Sequence, residues 1–153
     1  STMYAISSSV LYSPTDRRSD PCATSCGRPM ASSTWLGSSE PEVQALVRLC
    51  SRGQFRHVLA LHSQGEEIYW QYGDNTPPHA HMMAKILSSA CGYTVAQPDG
   101  LASHGGFKDW FIQTTGRPGF TLELGRGKNP LPLSDFEPLY DKAREMLLLA
   151  ALM

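Results

Sequence analysis

Apolar residues in this chain fall into short blocks, and the spacing inside each block predicts the element it forms. Val43, Leu46, Val47 and Cys50 recur at three- and four-residue steps, which lines one face of a helix. Ahead of them Ser39-Glu40-Pro41-Glu42 reads as a capping box with proline in the first turn, and Gly53 supplies a stop, so a helix is predicted over 39–52. The run Val58-Leu59-Ala60-Leu61 is unbroken instead, and suits a central strand covered on both faces, predicted over 56–62. A further extended piece over 68–72 and a turn over 73–78 lead to a helix over 79–91. Met82, Met83, Ile86, Leu87 and Ala90 point inward from it and Gly92 closes it. Residues 100–106 read as a loop, and 109–113 as a short extended or turn-like segment packing Trp110 and Phe111. A second core strand is predicted over 120–124. After the connector Asn129-Pro130-Leu131-Pro132, a second capping box, Ser134-Asp135-Phe136-Glu137, starts a terminal helix to about residue 151. Its buried stripe is Leu139, Ala143, Met146, Leu147 and Ala150. Core strands alternating with helices place the chain in the α/β class.

Composition divides the chain near residue 37. Residues 1–36 hold nine Ser, and their only Leu, Ile, Val or Phe residues are Ile6, Val10, Leu11 and Leu36. Such a segment buries too little apolar surface to offset its ordering entropy and is expected to form no core. The net charge of -1, with both signs interspersed, offers no basic stripe for nucleic acid. Cys22, Cys26, Cys50 and Cys91 contain no Cys-x-x-Cys pair, so neither a zinc ribbon nor a disulfide framework is expected, and Cys50 and Cys91 read as buried thiols on helices. The longest apolar run, over 146–153, is too short for a membrane span. No signal peptide is visible, which leaves the compartment open.

Chemistry concentrates where two apolar runs meet an ionisable residue. Leu59-Ala60-Leu61-His62-Ser63-Gln64-Gly65-Glu66-Glu67-Ile68-Tyr69-Trp70 delivers His62 at a strand tip, and Gly119-Phe120-Thr121-Leu122-Glu123-Leu124-Gly125 carries Glu123. Together they offer a metal ligand and a carboxylate able to work on a metal-bound water. With Gly105-Gly106-Phe107-Lys108-Asp109-Trp110, these segments resemble the C-terminal half of zinc metallocarboxypeptidases of the carboxypeptidase A/T type. Within that family the segments look most like the bacterial gamma-D-glutamyl-diaminopimelate peptidases, and the resemblance runs over 37–153.

The resemblance implies part of an α/β sandwich, a mixed central sheet flanked by helices 39–52, 79–91 and 134–151, with His62 and Glu123 approaching across one pocket. It implies a Zn²⁺ cofactor and a peptide or cell-wall peptide substrate. By it His62 is the third zinc ligand, and Glu123 is the general base that takes a proton from the attacking water and passes it to the leaving amine. His104 stands where the family usually offers a Tyr shortly before the Gly-Gly, and an imidazole there can donate to a developing oxyanion. Ser63 places a backbone group near the substrate, and Asp109 and Trp110 fix the base of the loop. His79-x-His81 follows Pro77-Pro78 and reads as an exposed turn opening a helix. Gly125-Arg126-Gly127-Lys128 lacks the spacing of a phosphate loop.

Two departures accompany the resemblance. The family draws its other His and its Glu from an His-x-x-Glu motif, which occurs nowhere here, and its upstream Asn-Arg pair has no counterpart, since no Asn precedes Asn75. The expectation is therefore a truncated chain: residues 37–153 from the C-terminal part of a catalytic domain, behind an unrelated leader, 1–36, that is disordered or frameshift-derived. Searching the nucleotide sequence upstream of the Gly37 codon for His-x-x-Glu tests this. Two functions follow: a zinc-dependent peptidase, or a catalytically inactive remnant or peptide-binding module without zinc, since one protein ligand holds zinc weakly. A sheet deprived of neighbouring strands is also expected to self-associate through its exposed edge.

Overall fold

A computed structural model of the chain describes residues 2–6, by backbone alone, together with 41–97 and 106–153. The unbroken apolar run forms strand β2, His57–Ser63, and the second forms β5, Gly119–Leu124. Their remaining company is β1 (Thr2–Ile6), β3 (Glu67–Tyr69) and β4 (Thr94–Ala96), in a sheet of order β1-β2-β5-β3-β4. β1, β2 and β5 run parallel, whereas β3 is antiparallel to β5 and parallel to β4, so the sheet is mixed. Four helices accompany it among the described residues: α1 (Pro41–Arg52), α2 (Ala80–Cys91), α3 (Phe107–Thr115) and α4 (Phe136–Leu152).

The helices divide between the two faces according to strand alternation. Leu59, Phe120, Leu122 and Ile68 point to one side, where they meet Ala84, Leu87 and Cys91 of α2 and Met146 and Ala150 of α4. Each fully buried large side chain there contributes roughly 1.5–3 kcal/mol relative to exposure. On the other side Val58 packs against Cys50 of α1 and Phe111 of α3. At Gly119 a β-carbon would stand 3.1 Å from the Lys108 carbonyl and 3.2 Å from its Cγ, so glycine lets α3 lie close on β5. This α/β layering covers both faces of β2 over Val58-Leu59-Ala60, as its unbroken run requires.

Several elements depart from the sequence reading. Residues 109–113 are not extended but lie within α3. Gly106 is its extended N-cap, Asp109 Oδ2 accepts the Gly106 N–H at 3.2 Å, and Phe107, Trp110 and Phe111 fall on one helical face. β4 has too few residues to show a period, and β1 lies where no element is expected. The capping box at Ser134 does not form: Leu133–Asp135 is a short 3-10 turn, and the Ser134 hydroxyl donates to the Asp135 carboxylate at 3.1 Å. α2 buries Ala80, Ala84, Leu87 and Cys91, leaving Met82 62% exposed, because the small residues let α4 approach. Ser39, at the expected start of α1, lies outside the described residues.

Candidate active site

Hydrogen-bond register creates the site. In the parallel β2/β5 pair His62 lies opposite Glu123, and in the antiparallel β3/β5 pair Glu67 lies opposite the same Glu123. Because side chains alternate along a strand, His62, Glu123 and Glu67 share one face in a row across three strands. That face is covered by α1 and α3 at Val58, near the start of β2, whereas the row stands at the C-terminal ends of β2 and β5 and is half-buried. Open α/β sheets place their sites at such strand ends.

Burial tunes the two residues in useful directions. It lowers the pKa of His62, favouring the neutral imidazole that ligates metals. Burial, and after it the charge of Glu67, raises the pKa of Glu123, so this carboxylate holds a proton more readily than a solvated one. Glu67 itself accepts a hydrogen bond from the Tyr69 hydroxyl at 2.5 Å.

A tight turn, residues 64–66, joins β2 to β3 immediately after His62 and Ser63. Gln64, Gly65 and Glu66 all have positive φ, at 98°, 146° and 52°, and for the two non-glycine residues this costs of order 1 kcal/mol or more each. A β-carbon on Gly65 would sit 2.8 Å from Cβ of Glu123, so backbone packs directly on the carboxylate-bearing residue. Gln64 and Gly65 N–H donate to the carbonyls of Leu124 and Gly125, both at 2.7 Å. Asn129 Nδ2 donates to the Ser63 carbonyl at 3.0 Å, while the Ser63 side chain is exposed. The Glu66 carboxylate meets Arg126 Nε at 2.8 Å and Lys142 Nζ at 3.0 Å, and its hydrogen bond to Lys142 raises that ammonium's pKa. An open cleft beside the turn is lined by Gln64, Gly65, Arg126 and Gly127.

Sequence reasoning missed Glu66, Glu67 and Lys108. Two adjacent Glu after a strand look like solvated turn residues, and only cross-strand pairing gives them partners. Lys108 is 4% exposed, paired with Asp109, and donates to the Gln71 carbonyl at 2.7 Å. Asp109 thus ties the helix start to a buried ammonium. His81 is exposed and stacks on Trp70 with ring centroids 4.6 Å apart. His104 lies outside the described residues.

Among the described residues no three His, Cys, Asp or Glu side chains converge to hold a metal ion. His62 is a side chain that can ligate zinc, and burial favours its neutral form, but the described residues alone do not fit a complete zinc cage.

Comparison with known proteins gives the class. A family model described as zinc carboxypeptidase matches residues 10–146, beginning ahead of residue 37. The chain is 44% identical over 105 residues to gamma-D-glutamyl-L-diamino acid endopeptidase 1 of Lysinibacillus sphaericus, covering 69% of this chain and 26% of that protein. It is 38% identical over 109 residues to the uncharacterized protein YqgT of Bacillus subtilis (strain 168), covering 71% and 29%. The chain thus spans little more than a quarter of the length of these curated relatives. Among solved structures, thrombin activatable fibrinolysis inhibitor superposes with a TM-score of 0.62 at 24% identity, over 74% of this chain and 34% of that one. Carboxypeptidase A from Helicoverpa armigera superposes with a TM-score of 0.56 at 20% identity, over 74% and 35%. These structures share the fold. The chain belongs to the zinc carboxypeptidase family.

Proposed function

We propose that this chain carries part of the hydrolytic site of a zinc-dependent peptidase acting on gamma-D-glutamyl-linked diamino-acid peptides such as those of the cell wall. The observation that carries this reading is the registered pair His62 and Glu123 at the open end of β2 and β5. The relative named as a gamma-D-glutamyl-L-diamino acid endopeptidase supports the substrate class. In this reading His62 is a metal ligand, and zinc, when bound, supplies Lewis-acid chemistry. Glu123 takes the proton of the attacking water and returns it to the leaving amine, a task suited to a carboxylate with raised proton affinity. His104 donates to the developing oxyanion, and the backbone at Ser63 borders the substrate.

The test is zinc content of the purified chain after dialysis, beside hydrolysis of a gamma-D-glutamyl-diaminopimelate peptide. Glu123→Gln is expected to keep zinc and lower turnover about 10²–10⁴-fold, because an amide accepts no proton. His62→Ala is expected to lower zinc binding itself. Zinc lost on changing Glu123 and kept on changing His62 would show the roles reversed. A wild-type chain with neither zinc nor turnover supports the alternative, a catalytically inactive remnant or peptide-binding module without bound zinc.

A further inference from the structure

We infer that Glu66 is a positioning residue of the site, holding the turn over 64–66 closed against Glu123; the inference rests on the functional reading above. Four observations meet at this residue. Its carboxylate is bound at once to Arg126, on the exit from β5, and to Lys142, on α4. Its carbonyl accepts the Thr94 N–H at 2.9 Å, which ties the turn to β4. Its φ of 52°, like the 98° of Gln64, lies in a region unfavourable to a non-glycine residue, which relaxes unless outside contacts hold it. The middle residue, Gly65, leaves no room beside Cβ of Glu123.

The chain of cause is therefore short. Two cations and one N–H fix Glu66, Glu66 fixes the turn, and Gly65 within the turn walls one side of Glu123. A carboxylate walled in this way is limited in the rotamers it adopts and stays aligned with His62 on the neighbouring strand. None of the three charged groups touches the reacting atoms. Their effect reaches the chemistry through backbone packing, and small misplacements of a catalytic group are costly to rate.

The experiment uses the full chain and reads the χ1 rotamer of Glu123 from NMR three-bond couplings, a measurement that needs neither zinc nor turnover. Wild type is expected to show one rotamer. Glu66→Gln, and separately the double variant Arg126→Gln/Lys142→Gln, are expected to show averaged couplings while the far-ultraviolet circular dichroism stays native. Arg126 and Lys142 sit at exposed positions, so the double variant keeps the test decisive even where Glu66→Gln fails to fold. In the peptidase assay both variants are expected to lose about tenfold in kcat with KM unchanged. Native-like variants that keep a single Glu123 rotamer overturn the positioning role, whatever their melting temperatures. Turnover insensitive to Glu123→Gln sinks the functional reading instead, and the rotamer result then still decides whether Glu66 holds Glu123.

Discussion

At the scale of single residues, the least expected feature is His57, 1% exposed at the start of β2. Its ring meets Phe120 edge-on at 6.4 Å and hydrogen-bonds the Ala150 backbone of α4, joining the sheet to the terminal helix. Burial is the main cause that pulls its pKa below the ordinary 6.5. The unfolded chain therefore takes up a proton at higher pH than the folded one. Its contribution to stability is complete above pH 6.5 and is lost as pH falls from there through the lower folded value. His62 acts in the same sense, and Glu123, with a raised pKa, in the opposite one. His57→Phe is expected to cost about 1 kcal/mol near neutral pH for the lost hydrogen bond, and to flatten the acid limb, so that the cost shrinks as pH falls below 6.5. Urea midpoints at about pH 7.5 and about pH 5.5 check this: equal acid shifts in variant and wild type would rule His57 out as a source of the pH dependence.

At the scale of elements, α3 does the work the sequence reading gave to a short extended piece. It caps on Gly106, buries Phe111 and Ile112, and covers the face of the sheet below His62 and Glu123. Phe111→Ala is expected to destabilise the chain by about 3–5 kcal/mol through lost burial and the cavity left behind. Met82→Ala, on the exposed side of α2, is expected to stay within about 0.5 kcal/mol. Denaturant unfolding compares the two, and equal costs would contradict the assignment of faces. The helical spacing of Phe107, Trp110 and Phe111 was present in the sequence. Aromatic β propensity and a preceding glycine pair obscured it, and the cap resolves it only once Asp109 is seen to turn back to Gly106.

At the scale of the whole molecule, apolar surface collects on the outer side of α4. Leu148 is 63% and Leu152 82% exposed, with Phe136 and Tyr140 on the same helix also open, and β4 ends the sheet as a three-residue edge strand. Among the described residues no helix is long and apolar enough to cross a membrane. Exposed apolar side chains grouped on one helix favour association. Light scattering across a concentration series is expected to show self-association that Leu148→Lys with Leu152→Lys reduces. A dilute monomer with sharp cooperative melting that the substitutions leave unchanged would refute it.

By itself the sequence determined what depends on local period and chemistry: β2 from an unbroken apolar run, β5 from a short apolar-rich segment, and α1, α2 and α4 from three- and four-residue steps, while His62 and Glu123 were singled out by the family resemblance of the segments that carry them. These signals survive because each needs only neighbours a few residues away. Tertiary structure alone decided the insertion of β5 between β2 and β3, which sets Glu123 between His62 and Glu67. It also decided the burial of Lys108 against Gln71 and the bridge from Glu66 to Arg126 and Lys142. Register and ion pairing are settled between segments far apart in the chain, where hydrogen-bond geometry and desolvation choose the partners and no local period records the choice.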